Sequence, residues 1–157
     1  FGGWIAAEMA TFAPKDTGAL ALVAPMGVKP DEGYILDQAI MSYIDYARAA
    51  FHDQKAFSAI YGDVSTDQLE AWDIGREMSF RIAWKPYMYS QTLPHLLSSI
   101  ASPTTIVWGA DDKIVPPATA QKWQKAIPGA KVEIVKNCGH AVALEQPDAL
   151  LKIIAKG

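Results

Sequence analysis

The chain has 157 residues, half of them hydrophobic, with 14 basic and 17 acidic side chains and a formal charge of −3. That length suits one globular domain with a real core, and the slightly acidic balance excludes the electrostatic footprint of a nucleic-acid binder. One cysteine excludes an internal disulfide framework and a zinc site of paired cysteines, and no apolar run reaches the roughly 18 residues of a membrane span.

No charged flank precedes an apolar stretch, so no signal peptide is read, and the expectation is a soluble, cytoplasmic protein with no membrane or nucleic-acid partner. The first residue is Phe1 rather than methionine, which warns that 157 residues are not the whole protein.

Gly2 and Gly3 open an Ala-, Met- and Glu-containing segment that favours helix to about Ala10. Pro14 and Gly18 bound a loop. The apolar run 19–24 suits a strand buried on both faces of a parallel sheet. From 31 to about 100 the pattern is helical and rich in Tyr, Met and Trp, with no strand signal. Leu36, Ile40, Tyr43, Ile44, Ala47 and Phe51 recur at helical spacing. Ser65-Thr66-Asp67-Gln68 has the form of a capping box opening a helix to about Trp84, which Pro86 ends. Residues 93–100 form one more short helix, with Pro94 tolerated in its first turn.

The last third alternates. Residues 104–108 read as a strand stopped by Gly109, 118–127 as a helix closed by Pro128-Gly129, and 131–135 as a second strand. Pro147 opens a final helix to about Ala155. Short strand–helix alternation implies parallel strands with crossover helices, an α/β fold. The expected organisation is 1–30 and 101–157 as core, with 31–100 as a helical insert.

Two loops carry chemistry, each at the carboxyl end of an expected strand, where open parallel sheets bind ligands. One is Trp108-Gly109-Ala110-Asp111-Asp112-Lys113-Ile114-Val115-Pro116; the other is Asn137-Cys138-Gly139-His140. A histidine there can act as general base, oriented by a carboxylate. Phe1-Gly2-Gly3 before a small-residue helix looks like the second half of a G-x-S-x-G nucleophile elbow, with the serine just before Phe1.

On these three motifs, with Glu145-Gln146-Pro147 behind the histidine, the chain resembles the serine α/β-hydrolase family, in its branch with a helical cap after the sixth strand. The resemblance implies a C-terminal portion that lacks the first four or five strands, the nucleophile and one oxyanion-hole donor. It implies Asp112 as the acid and His140 as the base. It makes Phe1 an oxyanion-hole donor through its backbone N–H, with Gly2 and Gly3 forming the elbow turn. Asp111 is then a turn residue beside the acid.

Met26, Ile114 and Ala141 are expected to line the substrate pocket. Trp72, Trp84, Tyr87, Met88 and Tyr89 either line it or, the favoured reading for each singly, form the cap's own core. Cys138 reads as a buried structural thiol rather than a nucleophile, and His52 and His95 as structural or surface residues.

The implied activity is hydrolysis of carboxylic esters or similar carbonyl substrates with an apolar acyl or aryl group. No metal or organic cofactor is implied. Carbon–carbon bond hydrolysis of ring-cleavage products is the alternative. It ranks second because Ala141 stands where an aromatic residue often follows the histidine in those enzymes. A further alternative is an inactive fragment or a hydrolase-fold binding protein, since a histidine and an acid without the nucleophile act near background. The first strand of an isolated chain is expected to present a bare apolar edge.

Overall fold

The computed structural model describes residues 1–14 and 17–156. Strands β1 (Leu20–Val23), β2 (Thr104–Gly109) and β3 (Lys131–Val135) form one parallel sheet in the order β1-β2-β3. Leu20 stands opposite Thr104, and Thr105 opposite Lys131. Helix α1 (Gly2–Phe12) precedes β1. Helices α2 (Tyr43–Ala49), α3 (Gln54–Tyr61) and α4 (Thr66–Ala83) form the insert, followed by α5 (Leu93–Leu96) and a short 3-10 turn (Leu97–Ser99). Helix α6 (Thr119–Ala126) joins β2 to β3, and α7 (Val142–Glu145) and α8 (Pro147–Ile154) close the chain.

Alternation along β2 splits the core between the two faces of the sheet. Ile106 and Trp108 enter the larger cluster with Ala7 and Ala10 of α1 and Ala120 and Trp123 of α6. Val107 enters a smaller cluster with Val135, Cys138, Val142 and Leu150 of α8. The sheet is thus covered by helices on both sides, as parallel sheets require.

The expectation that the first strand is buried on both faces is corrected. Leu22 is fully buried against α1, but Ala21 on the opposite face is exposed. The smaller cluster covers Val23 and stops short of Ala21. As the edge strand, β1 has a sheet neighbour only at β2 among the described residues.

A second correction concerns residues 36–51. Only Tyr43–Ala49 is helical, because the Ser42 hydroxyl caps it by accepting the Asp45 N–H. The preceding segment is held by tertiary bonds instead: Leu36 N–H donates to the Ile114 carbonyl at 2.8 Å and Gln38 N–H to the Tyr87 hydroxyl at 3.0 Å. Ile40 lies exposed, and Phe51 packs past the helix end against Phe57 and Tyr61. The cap at Ser65 forms as expected, with its hydroxyl accepting the Gln68 N–H.

The insert also carries one strand-like pairing. Gly27 and Tyr89 form a parallel bridge, with Gly27 N–H donating to Met88 at 3.0 Å and Ser90 N–H to Gly27 at 2.9 Å. Gly27 holds φ +105°, and any Cβ there would strike the Trp4 indole, so only glycine fits. The expected loop between Pro14 and Gly18 includes residues 15 and 16, which lie outside the described residues. Among the described residues no helix is long and apolar enough to cross a membrane.

Leu22→Ala is expected to cost about 2–5 kcal/mol of stability by opening a core cavity. Met9→Ser on the exposed face of α1 should stay within about 0.5 kcal/mol. Urea midpoints of the two variants check this.

Candidate active site

The loop after β2 turns on Asp112. Its Oδ1 accepts the N–H groups of Ile114 at 2.8 Å and Val115 at 2.9 Å, a local side-chain turn that fixes the carboxylate. The side chain is fully buried. Its Oδ2 then faces Nδ1 of His140 at 2.7 Å. A carboxylate only accepts, so Nδ1 carries the proton in this pair and Nε2 of a neutral ring is left as an acceptor. Among the described residues no hydroxyl or thiol bonds to Nε2.

The His140 loop is fixed from three sides. Asn137 turns the chain off β3 at φ +51°, a left-handed position that asparagine tolerates. Asp111 N–H donates to the Cys138 carbonyl at 2.9 Å, tying the acid loop to the histidine loop. Gly109 and Gly139 allow the closest approaches: a Cβ on Gly109 would collide with the Gly139 and Cys138 carbonyls, and one on Gly139 with the Ala50 carbonyl and the His52 nitrogen. Ala141 N–H reaches the same Ala50 carbonyl at 2.9 Å.

Glu145 completes the clamp. One oxygen accepts the Gly139 N–H at 2.7 Å and the His52 N–H at 3.2 Å, and the other accepts the Asp53 N–H at 2.5 Å. Its carboxylate thus joins the histidine loop to the α2–α3 junction. Sequence reasoning placed Glu145 in a motif without giving it a task. The available signal was an acidic residue five positions after the histidine, between apolar Val142 and Pro147.

Other expected residues fall as follows. Phe1 starts α1 at the carboxyl end of the sheet, with Gly3 packed on Pro25 just beyond β1. Met26 and Ile114 are buried in the larger core cluster, and Ala141 is half-buried. None of the three lines the cavity of about 330 Å³ that α2, α4 and Gln38 border.

Trp72 does line that cavity, Met88 is buried core, and Trp84 is exposed. His52 is a surface residue paired through Nδ1 with Asp111 at 3.1 Å, and His95 is exposed on α5. Cys138 is buried, and burial, with the Glu145 charge second, pushes its thiol up to about 12.

The chain matches the profile of the alpha/beta hydrolase family over residues 1–153 and belongs to that family. It is 33% identical over 79 residues to human monoacylglycerol lipase ABHD6, covering 50% of the chain and 23% of the relative. It is 26% identical over 150 residues to a 2-hydroxy-6-oxononadienedioate/2-hydroxy-6-oxononatrienedioate hydrolase of Klebsiella pneumoniae, covering 88% of the chain and 49% of the relative. The fold superposes on 2-hydroxy-6-oxo-6-phenylhexa-2,4-dienoate hydrolase of Rhodococcus sp. strain RHA1 with a TM-score of 0.67 at 18% identity, covering 99% of the chain and 60% of that protein. The chain spans about half the length of the Klebsiella relative, and its match to the human lipase spans about a quarter of that protein.

Gly139→Ala is expected to cost about 1–3 kcal/mol through forced backbone shifts, while Gly2→Ala, which meets open space, is tolerated; thermal unfolding distinguishes them. The raised thiol leaves about one part in ten thousand of Cys138 ionised at pH 8. Iodoacetamide at pH 8 should therefore label the urea-unfolded chain fully and the native chain hardly at all. Because the folded thiol holds its proton beyond the unfolded value of 9.0, stability is full below pH 9 and declines as pH rises toward 12.

Proposed function

We propose that the intact protein hydrolyses carboxylic esters or related carbonyl substrates through a serine, Asp112 and His140. The observation that carries this reading is the 2.7 Å contact between His140 Nδ1 and a buried Asp112 carboxylate whose other oxygen is already held by two backbone N–H groups. That arrangement fixes the ring tautomer and stabilises imidazolium without moving the acid.

In this reading the serine lies immediately before Phe1. His140 Nε2 takes its proton as the hydroxyl attacks the carbonyl carbon, and returns it to the leaving alcohol. Water then repeats the cycle to release the acid. The N–H of Phe1 donates to the developing oxyanion, and Gly2 and Gly3 permit the turn that exposes the nucleophile. Residues 31–100 act as a helical cap, and the substrate carries an apolar acyl or aryl group. No metal or organic cofactor enters these steps.

Carbon–carbon bond hydrolysis is the second reading. The relative that aligns with 88% of the chain is named for a 2-hydroxy-6-oxo dienedioate substrate. This second reading calls on the same Asp112–His140 pair, so the two readings differ in substrate and not in machinery.

The test uses the full-length protein with p-nitrophenyl butyrate and a ring-cleavage-type dienoate. His140→Ala and Asp112→Asn are each expected to lower kcat/KM by about 10³-fold or more. Unchanged turnover in both variants, or a non-nucleophilic residue encoded before Phe1, overturns the reading. A chain beginning at Phe1 is expected to stay at background.

A further inference from the structure

Residues 34–37, between β1 and α2, adopt no helix, strand or turn, so the backbone groups of this segment need partners from elsewhere in the chain. One side-chain atom supplies two of them. The Tyr87 hydroxyl donates to the Leu36 carbonyl at 3.0 Å and accepts the Gln38 N–H at 3.0 Å. Burial holds that hydroxyl above its ordinary value of 10.0, so it keeps the proton it donates. The Tyr87 ring packs with Phe80 and Trp84 at the end of α4. Neither a pocket wall nor a core position needs the hydroxyl that this ring carries.

The other side of the segment meets the acid loop. Leu36 N–H donates to the Ile114 carbonyl at 2.8 Å. That carbonyl and the Val115 N–H are two ends of one planar peptide group. The Val115 N–H donates to Asp112 Oδ1 at 2.9 Å, and the Ile114 N–H reaches the same oxygen at 2.8 Å. Tilting this peptide plane therefore turns the carboxylate, whose Oδ2 faces His140 Nδ1. Bonds linked in this way orient and strengthen one another.

We propose that Tyr87 is a positioning residue for Asp112. Its hydroxyl braces residues 36–38, and these hold the Ile114–Val115 peptide group in the orientation that points Oδ2 at His140. Tyr87 acts through these groups and not on the reacting atoms. The role of Asp112 as the acid rests on the hydrolase reading above; the brace on the Asp112–His140 pair does not.

The test uses the full-length protein and Tyr87→Phe, which keeps the ring and removes only the hydroxyl. The Nδ1 proton held between His140 and Asp112 gives a proton NMR resonance far downfield of the amides, identified by its loss in His140→Ala. Tyr87→Phe is expected to displace or broaden it. Tyr34→Phe removes an exposed hydroxyl that has no hydrogen bond among the described residues, and should leave the resonance in place. With p-nitrophenyl butyrate, Tyr87→Phe should lower kcat about tenfold and leave KM within about twofold. In an Asp112→Asn background the same substitution should cost less than about twofold, because the group it positions is already lost.

A lowered unfolding temperature with the resonance undisplaced marks a merely structural bond and overturns the proposal. So does an equal displacement in Tyr34→Phe, or a tenfold loss that persists in the Asp112→Asn background. If the full-length protein turns over neither ester nor dienoate, the hydrolase reading fails, and the resonance alone still decides whether Tyr87 braces the pair.

Discussion

The buried carboxylate of Asp112 sets the terms for the carboxyl end of the sheet. A charge removed from water is tolerated only when its oxygens are met. Here the backbone of the same loop meets one oxygen and His140 meets the other. The loop conformation, the ring orientation and the register between the ends of β2 and β3 therefore stand or fall together. Shifting the acid by one residue, to Asp111, would place an exposed carboxylate beside His52 and leave His140 without its anchor.

The insert joins this arrangement through backbone and not through apolar contact alone. Gly109 lets the histidine loop lie on the end of β2, and Gly139 lets the insert lie on the histidine loop. Glu145 then collects three N–H groups, one from the loop and two from the α2–α3 junction. The same junction supplies Ala50 to the cavity wall, so that wall is registered against the His140 loop by main-chain geometry. Main chain varies less in position than side chains do, which makes it a suitable ruler for catalytic alignment.

Much of the fold was legible because its signals are local. Ser65 and Gln68 announced α4, β2 runs one residue past its expected end to include Gly109, and β3 covers its expected residues. The juxtaposition of Asp112 and His140 was also legible, because strand ends of a parallel sheet converge. What escaped was non-local. The spacing of Leu36 and Ile40 resembles a helix, yet Tyr87, Ile114 and Arg76 take up that segment's backbone groups from far along the chain. Ala21 was read as buried because apolar runs do not show where a covering layer ends.

The bridge between Gly27 and Tyr89 has an architectural consequence. The chain leaves the sheet region at one partner and returns at the other, so the long excursion between them begins and ends at nearly one point. An excursion closed at its base communicates little of its own length to the sheet. Doubling a flexible loop adds only about 0.6 kcal/mol of closure entropy. Helices can thus be lengthened, shortened or replaced above the bridge while the strand register below it is untouched. The Gly27–Tyr89 bridge thus marks where the sheet-bound part of the chain ends and the helical excursion begins.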